Sequence, residues 1–377
     1  MRIAFDHQAF CLQVTGGISR YFCRLADELF LAKQTVGVFA PVHRNSYLGA
    51  VAAQTVHGYH LNNYPPKTAS LMVRMNSYIT KPLIRAWRPS LVHETFYSTQ
   101  RSAPKGCPTI ITVFDMIDEL IVAQPKEIES ISKSSAKYIA AHRADHIISI
   151  SEHTRQDLIR LFNIPAQKVS VVHLGCERFF SAELQTSIAD QLPIAKKTKP
   201  YFLYVGQRGG YKNFEAFVTA FSRSPQLKND FDIVAAGGGP FNLAEQSLFT
   251  RLGLHFTHVQ QCSVDDAQLA MLYAQAVALV YPSCYEGFGL PPIEAMRYDC
   301  PVASSNTSSM PEIIGDAAVY FDPTSPDEIL SALNTIAYDE KCRQSLILKG
   351  RERVKRYSWK KCADKTLDIY RSLIATA

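Results

Sequence analysis

The sequence has no apolar run that approaches the ~20 residues needed to cross a membrane. Residues Met1 to Asp6, at its start, lack the apolar core of a secretory signal. Its nine cysteines include no Cys-x-x-Cys pair and are odd in number, which argues against a disulfide framework or a zinc site. We therefore expect reduced thiols and a protein that stays in the cytoplasm.

Repeats and low-complexity tracts are also absent, so what remains is an ordinary globular composition with 47% hydrophobic residues. A chain of 377 residues is too long for one ordinary core and favours two domains. Its charge is uneven, because residues 1–182 hold 20 Lys and Arg against 13 Asp and Glu, and the rest holds 20 against 21. A basic half suits anionic lipid or an anionic acceptor, and a solvated basic face explains it equally well.

Residues 68–88 within that basic half are predicted to form a helix, with a kink expected at Pro82. Its apolar side chains fall largely on one side, and the helix also carries Arg74, Lys81, Arg85 and Arg88. One interpretation is peripheral contact with a membrane surface, and the alternative is a helix packed into the core. The apolar residues are Leu71, Met72, Met75, Tyr78, Ile79 and Leu83.

Each half of the chain begins with a short buried strand followed by a glycine loop, as in doubly wound nucleotide-binding folds. The later strands are short, apolar and rich in β-branched residues. Strands are expected at 2–6, 90–94, 109–114, 146–150, 168–173, 201–205, 231–236, 255–259, 278–281, 301–304 and 318–321. Helices are expected at 18–31, 68–88, 130–143, 151–162, 327–338, 339–356 and 358–373.

The most informative segment places Glu286 and Glu294 eight positions apart across a turn that contains Gly287 and Gly289 and opens a helix. Glycines permit a close backbone approach, and the free amides at a helix N-terminus suit phosphate groups. Carboxylates on either side can accept hydrogen bonds from hydroxyls. A diphosphate that carries hydroxyl-bearing groups is the ligand class of a sugar nucleotide.

This Glu-x7-Glu segment resembles the signature of retaining GT-B glycosyltransferases of family 4. Residues 204–213, 309–318 and 16–21 resemble, respectively, the diphosphate-gripping loop, the helix after the donor site and the Gly-rich loop of the mannosyltransferase and rhamnosyltransferase branch. The resemblance spans essentially the whole chain. It implies two facing Rossmann-like domains, at 1–182 for the acceptor and 200–357 for the donor, with a linker at 183–199. The helix in 358–377 would return to the first domain.

The loop that follows the strand at 201–205 carries Arg208 and Lys212. Two cations there can stabilise the charge that develops on the departing diphosphate, whereas an isolated pair of this kind is usually a solvated loop. The family match favours the first interpretation.

The resemblance assigns the remaining donor-side roles. Glu294, on the first helical turn, would hold the ribose, and Glu286 would face the transferred sugar and stabilise positive charge there. Gly16 and Gly17 would approach the donor from the first domain. Phe288, Gly289 and Leu290 complete the donor-binding set.

Asp115 is the candidate on the acceptor side, as a hydrogen-bond partner or base. Many relatives carry His-Asp at this point, and here Phe114 replaces the histidine. His93, Glu94 and Arg20 are further acceptor-side candidates, and a lone histidine at a strand end is more often structural.

Two other motifs are set aside. Residues 237–239 are three glycines without the GxGxxG pattern of a dinucleotide site, and Asp230-Phe-Asp232 leads into a buried strand instead of a metal site. The family generally neutralises the leaving group without a metal, so no metal or other cofactor is expected.

The expected function is retaining hexosyl transfer to a growing bacterial surface glycan, with GDP-mannose as the donor and no nucleic acid as partner. The acceptor would be a glycan or a lipid-linked oligosaccharide. The alternatives are a UDP- or dTDP-sugar enzyme such as a glucosyltransferase, a rhamnosyltransferase or an epimerase, and an inactive sugar-nucleotide-binding subunit.

Overall fold

The computed structural model describes residues 1–121, 135–177, 199–255 and 258–376. The chain forms two compact units, which we call unit 1 (residues 1–175 and 358–377) and unit 2 (residues 176–357). Almost all of the predicted linker at 183–199 lies outside the described residues, so it stays a prediction.

Unit 1 is built on a parallel sheet that has seven strands among the described residues. The spatial order is β3-β2-β1-β4-β5-β6-β7, so the strand order reverses between β1 and β4. The strands are β1 Arg2–Phe5, β2 Thr35–His43, β3 Val56–His60, β4 Leu91–Glu94, β5 Thr109–Val113, β6 His146–Ser149 and β7 Val169–Val171. The helices are α1 Gln8–Leu12, α2 Gly17–Leu31, α3 Ala69–Trp87, α4 Ile117–Ile121, α5 Ala136–Arg143 and α6 Glu152–Phe162, with α15 Trp359–Thr376 from the end of the chain.

Unit 2 is built on a second parallel sheet, with six strands in the part of the chain that the structure describes. Its order is β10-β9-β8-β11-β12-β13, and the reversal falls between β8 and β11. The strands are β8 Tyr201–Val205, β9 Asp232–Ala236, β10 Val259–Cys262, β11 Ala278–Tyr281, β12 Val302–Ser305 and β13 Val319–Phe321. The helices are α7 Phe214–Ser222, α8 Pro225–Asp230, α9 Leu243–Arg251, α10 Asp266–Gln275, α11 Leu290–Arg297, α12 Met310–Ile314, α13 Pro326–Tyr338 and α14 Glu340–Val354.

The central strands of both sheets are buried on both faces, as expected for a parallel sheet covered by helices. This confirms two Rossmann-like doubly wound domains. The strand predicted at 255–259 was wrong, because the His258 amide donates to the His255 carbonyl in a turn (2.8 Å) and β10 begins only at Val259. Residues 122–134 and 256–257 lie outside the described residues. Positions 130–134 of the helix predicted at 130–143 are among them.

The last helix, α15, packs on α2 and belongs to unit 1, which confirms its predicted return to the first domain. The Tyr370 hydroxyl lies 2.6 Å from Nδ1 of His93, at the end of β4. Trp359 lies beside the ring of Tyr21, with centroids 6.1 Å apart. Both contacts are buried, so this helix completes the core of unit 1.

No helix in the described ranges is both long enough and apolar enough to cross a membrane.

Candidate active site

The two most informative sequence motifs follow β8 and β11, the neighbouring strands at which the strand order of unit 2 reverses. In open α/β sheets, ligands bind outside the carboxyl ends of the strands at such a reversal. Two bonds tie the loops together. The Cys284 amide donates to the Tyr211 carbonyl (2.7 Å), and the Asn213 side-chain amide donates to the Pro282 carbonyl (3.2 Å).

The loop after β8 needs unusual backbone angles. Gly206, Gly210 and Asn213 have φ values of 127°, 58° and 56°, a region that glycine and asparagine enter at least cost. Asn213 then precedes α7, and its side chain is held by the Pro282 and Pro323 carbonyls. The loop therefore has a defined conformation, with Gln207, Gly209 and Gly210 exposed to solvent.

Lys212 and Glu286 form the ion pair that joins the two motifs, with Nζ and Oε1 2.6 Å apart. The Glu286 backbone is held by the loop after β12, because its amide donates to Ser308 Oγ (2.9 Å) and its carbonyl accepts from Ser309 Oγ (2.8 Å). The Lys212 ammonium also lies 5.8 Å from the centre of the Tyr281 ring. A cation and a carboxylate thus meet in a largely buried position where an anionic ligand could take the place of Glu286.

Arg208 is more deeply buried than Lys212, with only 4% of its side chain exposed. Its Nε donates to Glu245 Oε1 (2.6 Å) and its Nη1 to the Gly237 carbonyl (2.8 Å). Its Nη2 donates to the Pro240 carbonyl (3.1 Å) and reaches Glu245 Oε2 (3.3 Å). The guanidinium therefore fixes the loop after β9, with the Phe241 ring centre 4.7 Å away.

The three glycines set aside in the sequence form part of this arrangement. Gly237, Gly238 and Gly239 all have positive φ, at 94°, 71° and 69°. A Cβ on Gly238 would lie 2.5 Å from Arg208 Nη1, whereas a Cβ on Gly239 would meet nothing within 4 Å. The Gly-rich loop is thus folded tightly around the guanidinium.

Glu245 holds Arg208 and also begins α9 through a capping box with Asn242. Burial opposes ionisation of the carboxyl, but hydrogen bonds from Arg208 and from the Asn242 amide outweigh it and lower the pKa of Glu245. Sequence reasoning missed this residue. The Asn-x-x-Glu spacing before a helix was the available signal, and it predicts a cap but no partner on another loop.

Glu294 lies on α11, where its Oε2 accepts from the Tyr273 hydroxyl (3.1 Å). The left-handed Gly289 is the N-cap of that helix, so Glu294 is the fifth helical residue and lies in the second turn, not in the first as predicted. Burial, with Glu294 nearby, raises the pKa of Tyr273, and burial beside Glu286 does the same for Tyr281. Both phenols therefore act as donors.

The residues between the two glutamates shape the turn. The Phe288 ring is buried edge-on against Tyr357, with centroids 5.6 Å apart, so it packs within unit 2. Gly289 has a φ of 88°, which favours glycine, and a Cβ there would lie 2.6 Å from Cε of Met310. Leu290 is the half-buried first residue of α11.

Gly16 and Gly17 lie where α2 begins in unit 1. Gly16 is its N-cap with extended backbone, and a Cβ there would lie 2.5 Å from Gln13 Oε1. The Arg20 amide donates to the Gly16 carbonyl (3.0 Å), and Arg20 itself is half-buried in the first helical turn. The predicted loop is present, with α2 beginning at Gly17.

His93 and Glu94 are both occupied inside unit 1. His93 lies between the Tyr370 hydroxyl (2.6 Å) and Thr112 Oγ1 (2.9 Å), and burial lowers the pKa of His93 to about 3. The two carboxylate oxygens of Glu94 accept hydrogen bonds from the two terminal nitrogens of Arg143 (2.9 and 2.7 Å). The hydrogen-bonding groups of both side chains are thus occupied by residues of unit 1.

Asp115 follows β5 and is partly exposed, with Nζ of Lys137 3.8 Å from its Oδ1. Lys137 is buried and bonds mainly to Glu119 (2.8 Å). Phe114, in the place of a histidine, packs edge-on against the Tyr21 ring with centroids 5.3 Å apart. The replacement thus adds to an aromatic cluster, and Asp115 keeps a cationic neighbour.

Two family models match the chain. The model described as "Glycosyltransferase Family 4" matches residues 15–178, and the one described as "Glycosyl transferases group 1" matches residues 188–353. Similar curated proteins include the O-antigen chain mannosyltransferase B of Escherichia coli, 32% identical over 60% of each chain. The O-antigen chain mannosyltransferase RfbU of Salmonella typhimurium is 29% identical over 52% of each. The chain therefore spans between half and two thirds of the length of these relatives.

Solved structures resemble this one along the whole chain. A sucrose-phosphate synthase from Thermosynechococcus elongatus matches with a TM-score of 0.78 and 19% identity, covering 100% of this chain and 99% of that one. Anabaena HepE in complex with UDP and glucose matches with a TM-score of 0.71 and 16% identity, covering 98% and 99%. At such identities the likeness shows the fold, which is the GT-B arrangement of two Rossmann-like domains.

Proposed function

Because the chain belongs to the family 4 glycosyltransferases of GT-B fold, we propose that it transfers a hexose from a nucleoside-diphosphate sugar to a growing surface glycan, with retention at the anomeric carbon. The observation that carries this proposal is the Lys212–Glu286 pair at the strand-order reversal of unit 2. This pair supports the proposal because a cation can bind a diphosphate and the neighbouring carboxylate can accept from sugar hydroxyls.

The donor diphosphate would take Lys212 as its cation and release Glu286 to the sugar. Arg208 would act on the same group by fixing the loop at 237–240, since most of its N–H groups are already used by Glu245 and two carbonyls. Glu294, with Tyr273 beside it, is the candidate for the ribose hydroxyls. Gly16 and Gly17 would approach the donor from unit 1, and Asp115 would face the acceptor.

The chemistry that fits this arrangement needs no protein nucleophile. The bond between C1 of the sugar and the β-phosphate oxygen breaks while the acceptor oxygen bonds to C1 on the same face. The acceptor proton passes to the departing phosphate, and the nucleoside diphosphate leaves. Preorganised positive charge at that phosphate stabilises the transition state. We propose that no metal is required.

GDP-mannose is the donor that we propose, supported by the Gly16 to Tyr21 segment and by relatives that are named mannosyltransferases. The acceptor would be a glycan or a lipid-linked oligosaccharide. We therefore propose that the protein acts at the cytoplasmic face of a membrane. A titration of the protein with GDP-mannose, UDP-glucose, UDP-N-acetylglucosamine and dTDP-rhamnose tests the donor. Tighter binding of any of the last three would overturn GDP-mannose, and no binding of any would overturn the transferase proposal.

A further inference from the structure

The outward face of α3 in unit 1 combines exposed apolar side chains with basic ones. The inner face of this helix is attached to β2 by Asn76, whose side chain bonds to the Val42 amide (2.8 Å) and carbonyl (2.9 Å). Thr80 and Ile84 follow at spacings of four and are also buried, so these three residues mark one side of the helix. The opposite side faces solvent.

That solvent-facing side carries large apolar residues. Leu71 is 58% exposed, Tyr78 73%, Ile79 38% and Leu83 41%. Single exposed apolar residues are ordinary, but four within 13 residues of one helix form a continuous stripe. The helix is therefore packed on its sheet through Asn76, Thr80 and Ile84, while these four apolar side chains remain on its outer side.

A basic stripe runs beside the apolar one. Arg74, Lys81 and Arg85 recur at intervals of seven and four residues, which places them along one flank of the helix, and Arg88 follows as its left-handed C-cap. From Arg74 to Arg85 the stripe is about 17 Å long at 1.5 Å per residue. The helix thus presents apolar side chains flanked by a row of cations.

Among the described segments that pack on α3, none supplies an exposed carboxylate against this charge. Residues 29–93, which include β2, β3 and α3, contain seven Lys and Arg and no Asp or Glu. The helix α1, which also contacts α3, has no acidic residue either, and the nearby Asp6 is fully buried and accepts from Gln8, Thr95 and Ser102. These segments therefore contribute net positive charge to this face.

We propose that the outward face of α3 docks unit 1 on an anionic phospholipid bilayer, with the helix lying in the plane of the interface. Leu71, Tyr78 and Leu83 enter the boundary of the acyl chains, and the exposed Arg74 and Arg85 meet lipid phosphates. Lys81, whose ammonium donates to Gln100 Oε1 (2.7 Å), adds its charge between them. A continuous array of phosphates matches a straight row of cations. A cationic flank beside a narrow apolar stripe is typical of helices that lie in the membrane interface. Such a stripe is too narrow for a helix that spans the membrane.

The test is sedimentation of the full chain with vesicles of phosphatidylcholine containing about 30% phosphatidylglycerol, compared with pure phosphatidylcholine. We expect binding to the first and little to the second, and release at about 0.5 M salt. Arg74→Gln with Arg85→Gln should weaken the vesicle affinity at least fivefold per residue, taking about 1 kcal/mol for each cation. Leu71→Ser with Leu83→Ser should weaken it at least as much.

Matched controls come from the same unit. Lys105→Gln with Lys365→Gln removes two exposed cations outside α3, and Leu31→Ser removes a leucine that is 71% exposed on α2. All of these side chains face solvent, so thermal unfolding should show that each variant is folded. Equal loss of affinity in the controls would overturn the proposal. The proposal would also be overturned if the wild-type protein did not bind anionic vesicles, or if it self-associated through α3 instead. None of these readouts depends on the transferase activity.

Discussion

The loops at the carboxyl ends of the central strands are held together differently in the two units. In unit 2, the loops after β8 and β11 hold Lys212, Glu286 and Arg208, with glycines in left-handed conformations around them. In unit 1, His93 on β4 is neutral and lies between two hydroxyls, and Glu94 at the end of that strand is paired with Arg143. The same doubly wound scaffold thus joins two loops by an ion pair in unit 2 and buries its strand-end groups among partners of the surrounding elements in unit 1.

This difference shows that the position of a loop at the strand ends does not decide its role. His93 and Glu94 lie at the end of β4, and their hydrogen-bonding groups bond to residues of unit 1. Glu286, in the loop after β11, is paired with Lys212 of unit 2. In the proposed mechanism the donor diphosphate takes over Lys212, so it is this pair between two loops, and not the place in the topology, that marks the candidate.

The largest expected effect comes from removing the Arg208 guanidinium in unit 2. Arg208→Ala leaves Glu245 and two carbonyls without their donor, which should cost about 3 kcal/mol, at the low end for a buried pair because Glu245 is partly hydrated. The midpoint of thermal unfolding should fall by roughly 5–10 °C. Calorimetry should also show weaker GDP binding, with little rescue by Arg208→Lys, which lacks the planar fork.

The exposed pair of Arg223 and Asp327 supplies the matched control for Arg208. Arg223→Ala should change stability by less than about 1 kcal/mol. Equal stability of the two variants would mean that Arg208 does not hold the 237–240 loop.

The second prediction separates the two glutamates of the signature turn. Glu286→Ala should lower kcat by ~10² if its carboxylate meets developing positive charge on the sugar, without weakening GDP binding, because Lys212 is released. Glu294→Ala should mainly raise the donor KM and weaken GDP binding, since a ribose contact is made in ground and transition states alike. Steady-state kinetics and GDP titration of both variants check this. Matching losses of GDP affinity would show that at least one carboxylate is misplaced.

The third prediction concerns the glycines that surround Arg208. Gly238→Ala and Gly239→Ala both place alanine at positive φ, which should cost each about 1–2 kcal/mol. Only the Cβ on Gly238 would meet Arg208, at 2.5 Å from Nη1. We expect GDP affinity to fall severalfold more in Gly238→Ala than in Gly239→Ala, measured by titration. The same GDP affinity in both variants would mean that the loop at 237–239 does not contribute to GDP binding.

The smallest expected effect concerns the buried His93 imidazole of unit 1. Because burial lowers the pKa of His93 to about 3, the unfolded chain takes up a proton near pH 6.5 that the folded chain refuses. Between about pH 6.5 and 5.5, the interval to be measured, stability should therefore fall by up to about 1.4 kcal/mol from this residue. His93→Gln should flatten that part of the profile of thermal unfolding against pH. Tyr370→Phe, which keeps the imidazole buried, should lower stability and retain the slope.

Much of the framework was predictable from the sequence, because short apolar runs followed by glycine loops mark parallel strands and their carboxyl ends. Two strands of unit 1 were missed. β3 lies at the edge of the sheet with an exposed Tyr59 and His60, and its partner β2 is interrupted by Gly37 and Pro41. Neither has the continuous apolar pattern of a central strand.

The partners within the site were harder to predict than its location. The Glu-x7-Glu motif indicated where a ligand would lie, but Lys212 and Glu286 are 74 positions apart and Arg208 and Glu245 are 37 apart. Periodicity describes which face of one element is buried and says nothing about which side chains of two loops pair. The same limit applies to α3, whose apolar residues were identified while the direction they face was not.

The position of α15 has a consequence for the order in which the protein folds as it is made. His93 and Tyr370 are 277 positions apart, and the whole of unit 2 is synthesised between them. Unit 2 is continuous in sequence and can close as soon as it leaves the ribosome, whereas unit 1 must wait for its last helix with the rings of Tyr21 and His93 still uncovered. The first half of the chain to emerge is therefore the last to finish folding, and it is the half that a chaperone would have to shield.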